Sequence, residues 1–365
     1  MMEITCKRTM MILTRPNAGW FPPLLFLVVA GCGGGGSDAE IKPSAVKSGG
    51  RVVVYSSLDR EFSEPILKAY QKQTGVRIDA KYDVESTKTV GLTQLIAAEA
   101  QTGRTRCDLF WNNEVLNTLR LKKKGLLRPI HPANSADYPE AFRDKEGTWY
   151  GFAARARVLL VNTRLVALAD RPKGIRDLLD PRWKDKIGMA KPLFGTTATH
   201  AACLFAAWGK EEASRYFRGL KANGVKVLSG NKQVATAVGT GEIAIGLTDT
   251  DDAMGEIAAG SPVVIVYPDR EAEGLGTLYI PNTVSVLAGS PDPRAAEALA
   301  NHLLSSEVET ALAKGPSAQI PLNRVVSQIA RVETPKMVKP MRVDWEETVN
   351  LWDEVMAFLA AEFAG

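Results

Sequence analysis

Histidine and cysteine are scarce in this chain of 365 residues, with only three of the first and four of the second. The histidines, His131, His200 and His302, lie far apart, which argues against a His-rich zinc site. The cysteines are too few and too scattered for a disulfide framework. No nucleophile elbow (G-x-S-x-G), no H-E-x-x-H and no Walker A loop occurs, so none of these signatures points to catalysis. Nor is there a large excess of one charge. Lys and Arg number 45 against 41 Asp and Glu, a balance unlike that of a protein that lives on nucleic acid. Hydrophobic residues at 45% and charged residues at 24% exclude a disordered or collagenous chain.

What is present begins with a leader. Lys7, Arg8 and Arg15 precede an apolar run, Phe21 to Val29, that is too short to span a bilayer. Ala30-Gly31-Cys32 has the small residues of a secretory cleavage site. Val29-Ala30-Gly31-Cys32 resembles the lipobox of bacterial lipoproteins, which implies removal of residues 1–31 and a lipid on Cys32; a plain signal peptide cut elsewhere is the other reading. Residues 32–50, rich in glycine and small polar residues, read as a flexible tether. Gly31 to Gly36 formally fits G-x-G-x-x-G, but it follows a leader rather than a strand. Cys107 and Cys203 read as buried free thiols.

From residue 51 the pattern alternates strand and helix. Arg51 to Tyr55 is a buried strand; Phe62, Ile66 and Tyr70 mark a helix stopped by Gly75. Strands at Val76 to Ala80 and Cys107 to Trp111 flank a helix with Val90, Leu95 and Ile96 inward, and a further helix runs from Val115 to Lys124. A second unit of the same kind has strands at Ile187 to Ala190, Val225 to Leu228, Ile243 to Leu247 and Val263 to Tyr267, with helices between them. This alternation predicts an α/β fold with a parallel sheet, and the length favours two domains. Two long extended runs, Phe152 to Val161 and Ile280 to Ala288, are expected to cross between them. Trp345, Val349, Trp352, Leu359 and Phe363 predict one apolar face on a single C-terminal helix.

The strand ends are polar. They read Ser56-Ser57-Leu58-Asp59, Asp83 to Thr87, Asn112-Asn113-Glu114, Gly195-Thr196-Thr197 before a helix, and Thr248 to Asp252. Ligands bind outside the carboxyl ends of strands in open α/β sheets, where helix N-termini offer free N–H groups. Ser, Thr, Asn and Asp are also the ordinary helix caps, so each cluster alone has a structural explanation.

Val53 to Ser57, Asp108 to Glu114, Tyr150 to Thr163 and Gly241 to Leu247 together resemble the extracellular solute-binding proteins of ABC importers, most nearly the ferric-iron-binding branch. The resemblance implies a two-lobe periplasmic-binding-protein fold with an interlobe ligand cleft. Residues 51–150 with 280–330 would form one lobe and residues 151–279 with 331–365 the other. It implies a monomer held outside the cytoplasmic membrane by its lipid, delivering a small ligand or metal ion to a permease and its ATPase, with no resident cofactor, no catalysis and no nucleic acid. Iron-binding relatives place a His, a Glu and two adjacent tyrosines at the cleft. The matching places here hold Asp59, Asn113 beside Glu114, and Asp251-Asp252.

Three ligand chemistries follow. Asp59, Asp251 and Asp252 are hard donors suited to iron(III) or another oxygen-loving metal, with or without an accompanying anion. The same acids suit an organic cation such as a polyamine. Arg155 and Arg157, on one face of a strand by period two, suit an anion such as a phosphonate or carboxylate, or else pair with acids at the lobe boundary. Ser56, Ser57, Asn112, Asn113, Thr196, Thr197 and Asp249 complete the candidate ligand contacts. A sensory binding protein is the other functional reading.

Overall fold

The computed structural model describes residues 50–83, 90–326 and 329–363. The leader, Cys32, the tether and the 84–87 part of one strand-end cluster lie outside them. In chain order the strands are β1 (Arg51–Ser56), β2 (Arg77–Tyr82), β3 (Leu109–Asn112), β4 (Leu127–Arg128), β5 (Tyr150–Asn162), β6 (Ile187–Ala190), β7 (Lys226–Leu228), β8 (Ile245–Asp249), β9 (Val263–Val266) and β10 (Tyr279–Leu287). The helices are α1 (Arg60–Thr74), α2 (Val90–Gln101), α3 (Leu116–Lys123), α4 (Gly195–Trp208), α5 (Lys210–Ala222), α6 (Asn231–Thr240), α7 (Thr250–Ala258), α8 (Pro293–Leu303), α9 (Ser306–Lys314), α10 (Trp345–Asn350) and α11 (Trp352–Phe363).

The strands form one sheet in the order β2-β1-β3-β10-β5-β8-β6-β7, with β4 also on β10 and β9 also on β5. β1 runs parallel to β2 and β3, and β6 runs parallel to β7 and β8. β5 and β10 are the antiparallel members between these groups. The first part of β5, Tyr150 to Ala156, lies on β10, and the rest, Arg157 to Asn162, lies on β8 and β9. All of β5 and β10 is buried. Such full burial is that of strands covered on both faces.

Local signals explain the elements that reach the site. α1 ends where Gly75 takes φ 73° and its N–H returns to the Gln71 carbonyl, a left-handed stop that glycine accepts most easily. α4 is buried from Thr196 through Phe205, so its alanines and threonines let neighbours pack on every side. Cys107 and Cys203 are buried free thiols. His200 is buried on α4, where desolvation, with help from Arg157, pulls its pKa down to about 3. It is a neutral core histidine.

The C-terminal helix differs from the sequence reading. Trp345, Val349, Trp352, Leu359 and Phe363 are all buried, but they sit on two helices rather than one. Leu351 breaks the run, and its N–H bonds the Thr348 carbonyl at 3.2 Å, a tightened turn. The break lets α10 pack on α3 and α4 while α11 follows α4. Among the described residues no helix is long and apolar enough to cross a membrane.

Candidate ligand-binding cleft

The carboxyl ends of β1, β3, β6, β7 and β8 lead into one polar cavity of about 580 Å³. Asp59 reaches it from the β1–α1 turn and Asn113 from the turn after β3. Lys191 and Thr196 come from the β6–α4 segment, Asn231 and Lys232 from the start of α6, Asp249, Asp251 and Asp252 from the start of α7, and Arg155 from β5. The 56–59 and 249–252 segments, far apart in sequence, thus meet at one gap.

Whether the strand-end residues are merely caps is answered by their hydrogen bonds. Asp292, Ser305 and Asp344, at the starts of α8, α9 and α10, accept from the N–H groups of Ala295, Val308 and Glu347 in the ordinary way. At the cavity the N-cap residues of α1, α4, α6 and α7, namely Asp59, Phe194, Gly230 and Asp249, make no side-chain capping bond. The starts of α1, α4 and α6 therefore present N–H groups and the positive end of the helix dipole, while at α7 the Asp252 N–H is taken by Asp251 Oδ1 at 3.1 Å. At α3 the seat is filled internally. Buried Glu114 accepts from Leu116 N at 2.7 Å and Asn117 N at 2.9 Å, and takes a third bond from Thr199 of α4 at 2.8 Å. Burial raises its pKa against the opposing effect of those donors.

The carboxylate of Asp249 is turned instead toward Arg157, its partner across the β5–β8 ladder. Arg157 Nη1 donates to Asp249 Oδ1 at 2.8 Å, to Asn231 Oδ1 at 3.0 Å and to Thr196 Oγ1 at 3.3 Å, and Nη2 reaches Thr197 Oγ1 at 3.3 Å. Thr196 and Asn231 close the other side of Asp249 at 2.5 and 3.0 Å. The pairing then continues past the strand end into α7. Ala156 N donates to Thr250 Oγ1 at 3.1 Å, and Arg155 Nε to Asp251 Oδ2 at 3.1 Å. Two fully buried guanidiniums are thereby matched to two carboxylates at a two-residue spacing on both segments. Burial acts to lower the pKa of Arg155, but Asp251 and Asp249 outweigh it and hold the cation firmly charged.

Arg155 spends Nη1 on the carbonyl of Asn113. Its Nη2 has no partner among the described residues, and neither does Asn113 Oδ1. Both residues are more than nine-tenths buried and line the cavity. One carboxylate oxygen from each of Asp249, Asp251 and Asp252 lies within 4.8 Å of the others, close enough for a shared cation.

Other candidates lie behind the cavity wall. Ser56 Oγ donates to the Leu58 carbonyl, Ser57 Oγ faces Asp83, Asn112 Nδ2 donates to Glu114 and Thr118, and Thr197 Oγ1 donates to Asn231. Arg157 is also in this inner layer, reaching the cavity through Asp249 and Thr196. Sequence reasoning missed Asn231, Lys191 and Lys232. The signal for the first and last was Ser229-Gly230-Asn231-Lys232, one more polar cluster directly after a strand. Across the cleft mouth Lys232 Nζ lies 3.6 Å from Glu61 Oε1 of α1.

Comparisons with known proteins agree with this architecture. The description "bacterial extracellular solute-binding protein" matches residues 109–350. Iron uptake protein A1 of Synechocystis is 24% identical over 298 residues, covering 77% of this chain and 80% of the relative. Iron-bound HitA from Pseudomonas aeruginosa superposes with a TM-score of 0.76 at 23% identity, covering 85% of this chain and 99% of that one. AfuA from Actinobacillus pleuropneumoniae, with fructose-6-phosphate bound, superposes with a TM-score of 0.74 at 23% identity, covering 87% and 99%. These structures share the two-lobe periplasmic-binding-protein fold with this protein. The chain belongs to the bacterial extracellular solute-binding protein family, whose members bind solutes rather than transform them.

Proposed function

We propose that this chain is the substrate-capturing component of an ABC importer. It is tethered outside the cytoplasmic membrane by a lipid on Cys32, acts as a monomer, and hands a small oxyanion-bearing solute to a permease and its ATPase. The lobes, 51–150 with 280–330 and 151–279 with 331–365, close on the solute about β5 and β10. The single observation that carries the ligand class is the unpartnered Arg155 Nη2 in the cavity wall. A guanidinium N–H needs an acceptor, and a buried donor left without one costs about 1–3 kcal/mol. An oxygen of a phosphate, phosphonate or carboxylate meets that need; a bare metal ion does not. The uncapped starts of α4 and α6, with Lys191 beside them, favour negative charge at that part of the cavity. Its volume of about 580 Å³ suits a small organic molecule.

A second reading keeps a metal, supported by the oxygens of Asp249, Asp251 and Asp252. Iron(III) would sit there, with Asp59 nearby, and its accompanying anion would meet Arg155. A thermal-shift panel of inorganic phosphate, 2-aminoethylphosphonate, fructose 6-phosphate, iron(III) citrate and putrescine separates the readings. A solute at a hundred times its Kd adds about 2.7 kcal/mol of stability. The oxyanions are expected to stabilise the protein, and Asp251→Asn with Asp252→Asn to preserve or enlarge that shift. Loss of an iron(III) citrate shift in the same variant supports the metal reading. Stabilisation by putrescine alone overturns both.

A further inference from the structure

A second buried polar node sits on the part of β5 that pairs with β10, two residues before Arg155. Ala153 has φ 43°, a left-handed conformation that a residue with a Cβ adopts only at a cost. β10 carries a register shift beside it, between Ile280 and Asn282. Both polar groups of Ala153 are held by side chains rather than by the ladder. Its N–H donates to Glu309 Oε1 at 2.7 Å, and its carbonyl accepts from Asn282 Nδ2. Asn282 is itself fixed by Gln319 Oε1 at 2.8 Å and Trp111 Nε1 at 3.3 Å. Glu309 Oε2 accepts from Asn323 N at 3.0 Å. Ala154 and Ile320 exchange both backbone bonds, so the 319–323 segment is tied to the same point of β5. Two residues further along β5 is Arg155, and two beyond that Arg157.

We propose that Glu309 is a positioning residue for ligand capture: its carboxylate holds the left-handed turn at Ala153, and that turn sets the direction in which β5 delivers Arg155 and Arg157 to the cleft. A sparsely populated backbone conformation persists only where its surroundings hold it, as these bonds do. Glu309 is fully buried, and desolvation pushes its pKa up to about 7 despite the N–H groups that favour its charge. Tyr138 is the titratable group that faces it. That phenol is pushed far above its ordinary value, chiefly by burial, and stays neutral. His302 of α8 is coupled to Glu307; the remaining groups at the node, Gln319, Asn282 and Asn323, do not titrate.

Two opposite pH trends follow. The neutral acid is easier to bury, so overall stability gains as Glu309 is protonated; but protonation removes one acceptor oxygen, so the turn at Ala153 loosens. The test is amide hydrogen exchange of the full chain from pH 5.5 to 8.5, corrected for intrinsic exchange, with no ligand added, so that it is independent of the ligand class. Protection of peptides covering 150–156 is expected to fall as pH drops through a midpoint above 7 and to level off below it, because the loosened turn leaves the acid buried with fewer N–H donors and so binds its proton more tightly. Peptides at the cleft, 229–233 and 249–253, are expected to change with the same midpoint. Glu309→Gln is expected to melt higher at pH 8 while showing the loose pattern at every pH, and Glu309→Asp to retain a titration. A flat profile in the wild-type chain overturns the proposal, and so does a titration confined to 150–156, which a merely structural carboxylate would give. Should Glu309→Gln fail to fold, the wild-type profile decides alone.

Discussion

Replacing Asp249 by Asn removes one charge from a dry ion pair and leaves the other where it was. Arg157 is fully buried and Asp249 is 4% exposed. After the substitution the guanidinium keeps only neutral oxygens, those of Thr196, Thr197, Asn231 and the new amide. Breaking one side of such a pair costs about 3–5 kcal/mol, because the remaining charge stays desolvated. In a chain of this size that corresponds to a fall in Tm of about 4–8 °C. Arg157→Met strands the carboxylate instead and is expected to cost a similar amount. The double variant loses both charges together. Its destabilisation should therefore fall short of the sum of the two by at least about 2 kcal/mol. The assay is a double-mutant cycle from urea unfolding followed by tryptophan fluorescence, with thermal melts alongside. Additive effects, each below about 1 kcal/mol, would show that the pair is solvated. The reading of the Arg157–Asp249 pair as a water-free tie between β5 and β8 behind the cleft would then fail.

Other expectations follow from the same contacts. His200 is held neutral by burial, so its folded pKa near 3 lies below the unfolded value, and stability falls as pH drops below about 6.5, by up to about 1.4 kcal/mol per unit; His200→Gln should flatten that limb in melts between pH 6.5 and 4. Gly75→Ala meets no atom within 4 Å, so its cost is conformational alone, about 1–2 kcal/mol by denaturant titration. Asp292→Ala deletes a true cap of α8 and should cost about 1 kcal/mol without altering any solute-induced thermal shift. No tyrosine lines the cavity among the described residues, so iron(III) addition should give no intense tyrosinate-type absorption band.

The alternation of strands and helices was legible because its signals are local. Gly75 stops α1, and the long extended runs that became β5 and β10 carry apolar residues on both faces, as surface strands do not. The convergence of Asp59, Asn113, Thr196 and Asp249 was also legible, since polar residues directly after parallel strands share one edge of the sheet. Which of them face the gap was not. Ser56, Ser57 and Asn112 stand beside lining residues in the chain, yet their side chains turn back into the protein to satisfy buried groups. The pairing of Arg155 with Asp251 and Arg157 with Asp249 depends on the register between β5 and β8, a long-range match that no local pattern encodes. Capping could be told from cleft lining only by the direction of each carboxylate. The node at Glu309 left no sequence signal, because Ala153 carries no glycine to mark its left-handed turn.

The central claim is that an oxygen of the transported solute completes the hydrogen bonding of Arg155. It is tested most directly by a crystal structure of the protein grown with the most stabilising solute of the thermal-shift panel. An oxyanion oxygen is expected within about 3 Å of Arg155 Nη2, with the solute's charge facing the starts of α4 and α6. A solute seated elsewhere, or a metal bound to Asp249, Asp251 and Asp252 with Arg155 Nη2 still unpartnered, would contradict it.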